Sequence, residues 1–99
     1  MPRRAKRTPD NVFLDLGFGP YEAQNLRVRA DLMIELVRIM RMRRLNQLRA
    51  SKLFGISQPR VSDLATGKIG RFSIDALIKM LSRAGRRVEF ETKRARRVA

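Results

Sequence analysis

Apolar residues recur at helical spacing along most of this 99-residue chain. The longest such pattern predicts a helix over residues 21–44. Its main apolar stripe consists of Leu26, Ala30, Met33, Val37 and Met40. A second apolar line, partly off that stripe, consists of Leu32, Leu36 and Ile39. Because the combined arc is wider than a small domain usually buries, the second line either packs in the domain's own core or contacts another chain.

A short helical pattern over residues 47–54 follows the long one. Asn46 is a good cap for its start because an Asn side chain can accept a hydrogen bond from a free backbone N–H. Gly55 is expected to end this helix, since glycine readily adopts the left-handed conformation found after a helix. Within it, Leu48 and Leu53 are expected to point inward.

Serine residues can cap the next two helical patterns. Ser57 lies at the start of the first, which ends near Gly67. Ser73 lies at the start of the second, which covers residues 74–84 and stops at Gly85. The apolar residues of these two helices are Val61, Leu64, Leu77, Ile78, Met80 and Leu81.

The residues after the last helix alternate in polarity, and residues 86–91 therefore predict one β-strand. A lone strand would leave its backbone N–H and C=O groups without partners. We expect it to pair either with the same strand of a second subunit, through Val88 and Phe90, or with residues 12–14.

Together these elements predict a mainly α fold with a single domain over residues 11–92. A basic N-terminal tail is predicted over residues 1–10 and a basic C-terminal tail over residues 93–99. Such tails either add nonspecific attraction to phosphates or form an ordered arm in a DNA groove. Because a domain this small buries a modest core, we also expect a homodimer.

The composition excludes many kinds of chemistry. The chain has no Cys and no His, so disulfides, the usual zinc sites, thiol nucleophiles and histidine bases are absent. Ser62, Asp63 and Lys68 lack a base and an oxyanion frame, and we therefore expect no enzyme, no metal and no cofactor. The basic first residues are not followed by the apolar run that export needs, so a cytoplasmic protein without membrane contact is expected.

The formal charge of +14 is unevenly distributed and implies two surfaces with different partners. Residues 8–37 contain two basic and five acidic side chains, whereas residues 38–99 contain seventeen basic and four acidic ones. The basic part favours a polyanion, for which nucleic acid is the commonest candidate. The acidic segment would suit a basic protein partner.

Residues 47–67 have the layout of a helix-turn-helix, in which one helix braces across the DNA backbone and the next enters the major groove. The outward residues of the second helix, Gln58, Arg60 and Ser62, all form hydrogen bonds. The residues expected to face inward are Ala50, Ser51, Leu53, Phe54, Ile56, Val61 and Leu64. Phe72, like Phe54, is expected in the core.

Within this motif, GISQPRVSDLATG at residues 55–67 resembles the lambda-repressor and Cro type of helix-turn-helix, the Xre family. With FSIDAL at residues 72–77 and NVFLDLGF at residues 11–18, the chain resembles the HigA-like antitoxins of that family. The similarity covers most of the chain. It departs from the family at Asn46, where Thr is common, at Ser51, where Ala is common, and in its high basicity.

The resemblance implies a role for each matching position. Gln58 and Arg60 would reach base edges, since Gln can pair with adenine and Arg with guanine through two hydrogen bonds. Ser62 would contact a base edge or a phosphate. The positions expected to contact the DNA backbone are Gln47, Ser57, Arg43, Arg44, Arg49, Lys68 and Arg71.

The expected function is a dimeric repressor that binds an inverted repeat in double-stranded DNA. The resemblance further implies an antitoxin of a type II toxin–antitoxin module, which represses its own operon and neutralises a ribonuclease toxin through the acidic residues 8–37. Two alternatives are open. One is a stand-alone repressor of the phage type, and the other is a basic RNA-binding protein.

Overall fold

The computed structural model describes residues 11–94. The predicted tail over residues 1–10 and residues 95–99 of the predicted C-terminal tail lie outside the described residues. The described elements are α1 (Asn11–Asp15), α2 (Pro20–Met42), α3 (Gln47–Phe54), α4 (Gln58–Ala65), a 3₁₀ turn (Ile69–Arg71) and α5 (Ile74–Arg83). Between residues 11 and 94 the chain contains no strand, and none of its helices is long and apolar enough to cross a membrane.

Helix α2 forms the long axis of the domain and confirms the predicted long helix. Pro20 occupies its first turn, where a missing backbone N–H costs nothing. Leu36 and Ile39, from the second apolar line, are buried, and Leu32 packs against the same core. The wide apolar arc is therefore used within one chain, because α2 packs against α1, α4, α5 and the 3₁₀ turn.

The core lies where α2, α3, α4 and α5 meet. Its buried members are Met33, Leu36, Ile39, Ala50, Phe54, Val61, Leu64, Phe72, Leu77, Met80, Leu81 and Ala84. Phe54 and Phe72 are core residues, as predicted. Leu48 does not point inward and is 47% exposed. Ala50 and Phe54 share the buried face of α3, and a residue two positions before Ala50 lies on the opposite face of the helix.

Helix α1 includes residues 12–14, one of the two predicted partners of the C-terminal strand. Residues 12–14 are helical and thus cannot pair with the C-terminal residues in a ladder. After α1, the backbone N–H of Gly17 donates to Leu14 and that of Phe18 donates to Phe13. The rings of Phe13 and Phe18 then meet edge to face, with centroids 6.3 Å apart, and close the turn that leads into α2.

The predicted C-terminal strand is wrong. After α5, Gly85 is left-handed and the N–H of Arg86 donates to the Leu81 carbonyl at 2.9 Å, which ends the helix. Arg86 then forms an ion pair with Glu35 of α2 at 3.2 Å, and Val88 packs against the core. The alternation of residues 86–91 thus does not mark a strand, and of its two apolar residues only Val88 packs against the core. Phe90, the other predicted dimer residue, is 89% exposed.

Candidate nucleic-acid interface

Two consecutive short helices, α3 and α4, form the predicted helix-turn-helix. Both begin with the predicted caps. The Asn46 side-chain oxygen accepts from the backbone N–H of Arg49 at 2.8 Å, and the Ser57 hydroxyl oxygen accepts from that of Arg60 at 3.4 Å. Each cap satisfies one backbone N–H that the helix leaves without an internal partner. The sequence therefore fixes where both helices start.

The turn between α3 and α4 is tight and depends on Gly55. Gly55 is left-handed (φ 72°), and a Cβ placed there would lie 2.5 Å from Nε of Arg83. The Arg83 side chain comes from α5 and donates to the carbonyls of Leu53 at 3.2 Å and Lys52 at 3.3 Å. Across the turn, the Ser51 hydroxyl donates to the Ile56 carbonyl. The Ser51 bond therefore closes the turn, and the Arg83 bonds attach the end of α3 to α5.

Helix α4 divides into a buried and a polar side. Val61 and Leu64 are buried against the core. Gln58 is exposed in the first turn, and Ser62 is half-buried farther along the helix. The amide of Gln58 is thus presented to solvent from a helix that Val61 and Leu64 anchor in the core, which is the arrangement a residue needs to reach a base edge in a major groove.

Arg60, the third predicted base-reading residue, lies differently. Its guanidinium carbon is 4.4 Å from the centroid of the Phe72 ring, and Nη1 donates to the Arg71 carbonyl at 2.7 Å. Arg60 is half-buried, whereas Gln58 is exposed. Arg60 therefore contacts the residues that follow α4, namely Arg71 and Phe72. That Arg60 reads a base stays a prediction.

The loop of residues 68–72 carries two of the predicted phosphate contacts. Lys68 is exposed and pairs with Asp63 of α4 at 3.5 Å, and the side chain of Arg71 is exposed as well. From the other side, Nη1 of Arg29 lies 3.4 Å from the carbonyl oxygens of both Ile69 and Phe72. Side chains of α2 and α4 thus hold this loop on both sides.

The remaining predicted backbone contacts surround the start of α3. Gln47 and Arg49 are exposed in its first turn, and Ser57 is exposed at the start of α4. Nη2 of Arg43 donates to the Ala84 carbonyl at 2.9 Å, so one of its donors is bonded at the end of α5. Arg44 has a left-handed backbone (φ 52°) and an exposed side chain. The structure brings these groups to the ends of the two short helices.

Sequence analysis missed two arginines that shape this region. Arg29 enters the sequence analysis only as one of the two basic residues of the segment 8–37, and Arg83 is assigned no role there. Both donate to backbone carbonyls at least thirty positions away along the chain. A charged residue on the polar side of a helix has the same sequence pattern whether it faces water or a distant carbonyl, so no signal in the sequence separates the two cases.

The comparisons with known proteins agree with this geometry. A family model described as a helix-turn-helix domain matches residues 12–93. A solved structure described as an XRE family transcriptional regulator superposes with a TM-score of 0.70 at 28% sequence identity, covering 79% of this chain and 91% of the other. No curated protein matches the sequence. The matched residues include every described helix except the first residue of α1.

Proposed function

Because the chain belongs to the helix-turn-helix domain family, we propose that it is a sequence-specific DNA-binding repressor of transcription. The observation that carries this proposal is the division of α4 into a side that Val61 and Leu64 bury in the core and a solvent-facing part that begins with the exposed Gln58. Hydrogen-bonding side chains on a rigid helix are what base recognition requires. In this proposal Gln58 and Ser62 contact base edges.

Phosphate contacts in the proposal come from exposed groups around α3 and α4. The caps leave the N–H groups of Gln47 and Leu48 at the start of α3 and that of Gln58 at the start of α4, where Pro59 has none, and these can meet phosphate oxygens. Arg44, Arg49, Lys68 and Arg71 add exposed positive charge, and Arg43 keeps further donors besides the one used on Ala84. These contacts would supply affinity and orientation, and α4 would supply the choice of sequence.

We propose that the protein binds an inverted repeat as a homodimer. A single eight-residue α4 can contact only a few base pairs, and each correct pair contributes about 1–3 kcal/mol of discrimination. Two copies on symmetric half-sites would double the length of sequence that is recognised. The test is the stoichiometry of the complex on a full site and on a half-site, measured by analytical ultracentrifugation. Equal affinity of one chain for both DNAs would contradict the dimer.

DNA binding is tested by in vitro selection from a random duplex library, followed by fluorescence anisotropy on the selected duplex and a scrambled one. At physiological salt we expect a preference of about a thousandfold or more for the selected duplex. Gln58→Ala should reduce that preference. Lys68→Ala should lower the affinity for both duplexes by the same factor and lower the slope of affinity against salt by about one. Similar, steeply salt-dependent binding to both duplexes would contradict sequence-specific recognition and would favour the RNA-binding alternative.

We further propose that the protein is the antitoxin of a type II module and neutralises a basic ribonuclease toxin. The support is the resemblance to HigA-like antitoxins and the surface of the acidic segment. There, Leu16 is 69% exposed and Tyr21 is 79% exposed, close in sequence to the acidic Asp15 and Glu22. Exposed apolar side chains among acidic ones suit a basic protein partner.

This assignment is tested by co-purification with the product of the neighbouring reading frame. Leu16→Ser together with Tyr21→Ser should abolish co-purification, because both changes remove apolar area from the proposed surface. Met42→Ser is the matched control, since Met42 is 70% exposed but lies outside the acidic segment. An effect of the control equal to that of the double variant would contradict the assignment. A locus without a toxin gene would favour the stand-alone repressor.

A further inference from the structure

The guanidinium of Arg60 contacts the loop of residues 68–72 through two different interactions. It lies over the Phe72 ring, with 4.4 Å between the guanidinium carbon and the ring centroid, and it donates to the Arg71 carbonyl at 2.7 Å. Phe72 is only 1% exposed, and the guanidinium covers one of its faces. A movement of Arg60 toward a base would therefore expose aromatic surface and break a short hydrogen bond.

The same loop is held on its other side by Arg29 of α2. Nη1 of Arg29 lies 3.4 Å from the carbonyls of Ile69 and Phe72, and its Nε donates to Asn25 at 2.7 Å, which fixes the side chain. Three carbonyls in four consecutive residues are thus bonded to arginines from two helices. Such use of planar guanidinium groups fixes the loop in register with both helices.

We propose that Arg60 is a positioning residue that fixes the loop of residues 68–72 against α4, so that Lys68 and Arg71 meet the DNA backbone as one rigid unit with the recognition helix. The inference rests on the proposed DNA-binding function and replaces direct base contact as the role of Arg60. Arg60 then acts on affinity through the placement of two other cations. Choice of base is left to Gln58 and Ser62.

Arg60→Lys separates these roles because lysine keeps the charge but has neither the planar face nor the paired donors of arginine. We expect it to weaken binding to the selected and the scrambled duplex by similar factors, about threefold to tenfold, as loss of one charge-assisted hydrogen bond would produce. Arg38→Lys is the matched control, because Arg38 is an exposed arginine of α2 that pairs with Glu35 and has no assigned DNA contact, and it should change binding to neither duplex appreciably. A loss confined to the selected duplex would overturn the proposal and make Arg60 a base-reading residue.

A double-mutant cycle with Arg71→Ala tests whether Arg60 acts through the loop. This second change removes the loop cation but keeps the carbonyl that Arg60 binds. If Arg60 places the loop, Arg71→Ala costs less affinity in the Arg60→Lys protein than in the wild type, and its reduction of the salt slope becomes smaller. Purely multiplicative effects would show that the two residues act independently, against the proposal.

Amide hydrogen exchange tests the same point without DNA. In the 3₁₀ turn, the N–H of Arg71 donates to Lys68 and that of Phe72 to Ile69. We expect both Arg60→Lys and Phe72→Leu to accelerate exchange of these two amides about tenfold, while the Gly55 amide in the other turn stays unchanged. Unchanged exchange in both variants would overturn the proposal. If the wild type selects no DNA motif, the proposed function fails, yet this measurement still decides the role of Arg60.

Discussion

The turns on either side of α3 have a similar backbone shape but differ in the residue that adopts it. Arg44 before α3 (φ 52°) and Gly55 after it (φ 72°) are both left-handed. Only Gly55 has a side chain from another helix, that of Arg83, where its own Cβ would lie. A residue other than glycine in the second turn would therefore have to displace the Arg83 side chain as well as adopt the left-handed conformation. The first turn requires only the conformation, and an arginine there accepts strain that glycine would avoid.

The difference suggests what each turn is selected for. The turn at Gly55 joins α3 to α4, and a side chain there would displace the Arg83 bonds to the end of α3. The turn at Arg44 leaves its side chain exposed next to the start of α3, where a cation would lie close to the DNA backbone in the proposed complex. Strain at Arg44 is consistent with a positive charge kept for binding at the expense of stability.

The largest expected effect is that of Gly55→Ala. A left-handed alanine costs about 1–2 kcal/mol, and displacement of Arg83 from two carbonyls raises the total loss of unfolding free energy to about 2–4 kcal/mol. The control is Gly67→Ala, since Gly67 has the same φ of 72° but open space around it, and should lose only about 1–2 kcal/mol. Urea denaturation measures both. Equal losses would show that the contact with Arg83 does not matter.

A smaller effect is expected from removal of the caps that follow the two turns. Asn46→Ala should lower the unfolding free energy by about 1 kcal/mol, because it leaves the backbone N–H of Arg49 without its partner. Ser57→Ala should cost about half as much, since its hydrogen bond is 3.4 Å long against 2.8 Å at Asn46. Thermal melting of the two variants compares them, and a larger loss at Ser57 would contradict this order.

The smallest effect, and one of opposite sign, is expected for Arg44→Gly. Relief of the left-handed strain outweighs the extra entropy of glycine in the unfolded chain, so stability should rise by about 0.5 kcal/mol. DNA affinity should fall, with a salt slope smaller by about one, because one cation is lost. Arg44→Lys controls for charge and should change neither quantity. A stability loss in Arg44→Gly would mean that its side chain makes contacts that offset the strain.

Most of the fold was predictable because its signals are local. The caps Asn46, Ser57 and Ser73, the stop at Gly55 and the apolar spacing of α2 each lie within a few residues of the helix they define. Helix α1 was missed because it depends on the Phe13–Phe18 contact and on packing against α2. The alternation after Gly85 predicts a strand wrongly, because a strand needs a ladder partner and residues 12–14, the partner within the chain, are helical.

In the candidate site, too, the features that depend on local sequence were predictable and those that depend on helix packing were not. The sequence identified α4 and its exposed Gln58, since both follow from helical spacing around Val61 and Leu64. It could not show that the guanidinium groups of Arg29, Arg60 and Arg83 bind backbone carbonyls, because these pairs are set by how helices pack. The sequence therefore predicted which side chains could form hydrogen bonds at the site. It did not predict which groups the arginines bind.

The bond from Arg83 to the end of α3 has a consequence for protein engineering. The first helix of the motif is bonded at its end to α5 by a side chain sixteen residues beyond the end of the motif itself. A graft of residues 47–67 onto another scaffold would thus leave the turn without one of its supports. The smallest portable unit extends through α5, and a change of target sequence is better made by replacing exposed residues of α4 within the intact chain.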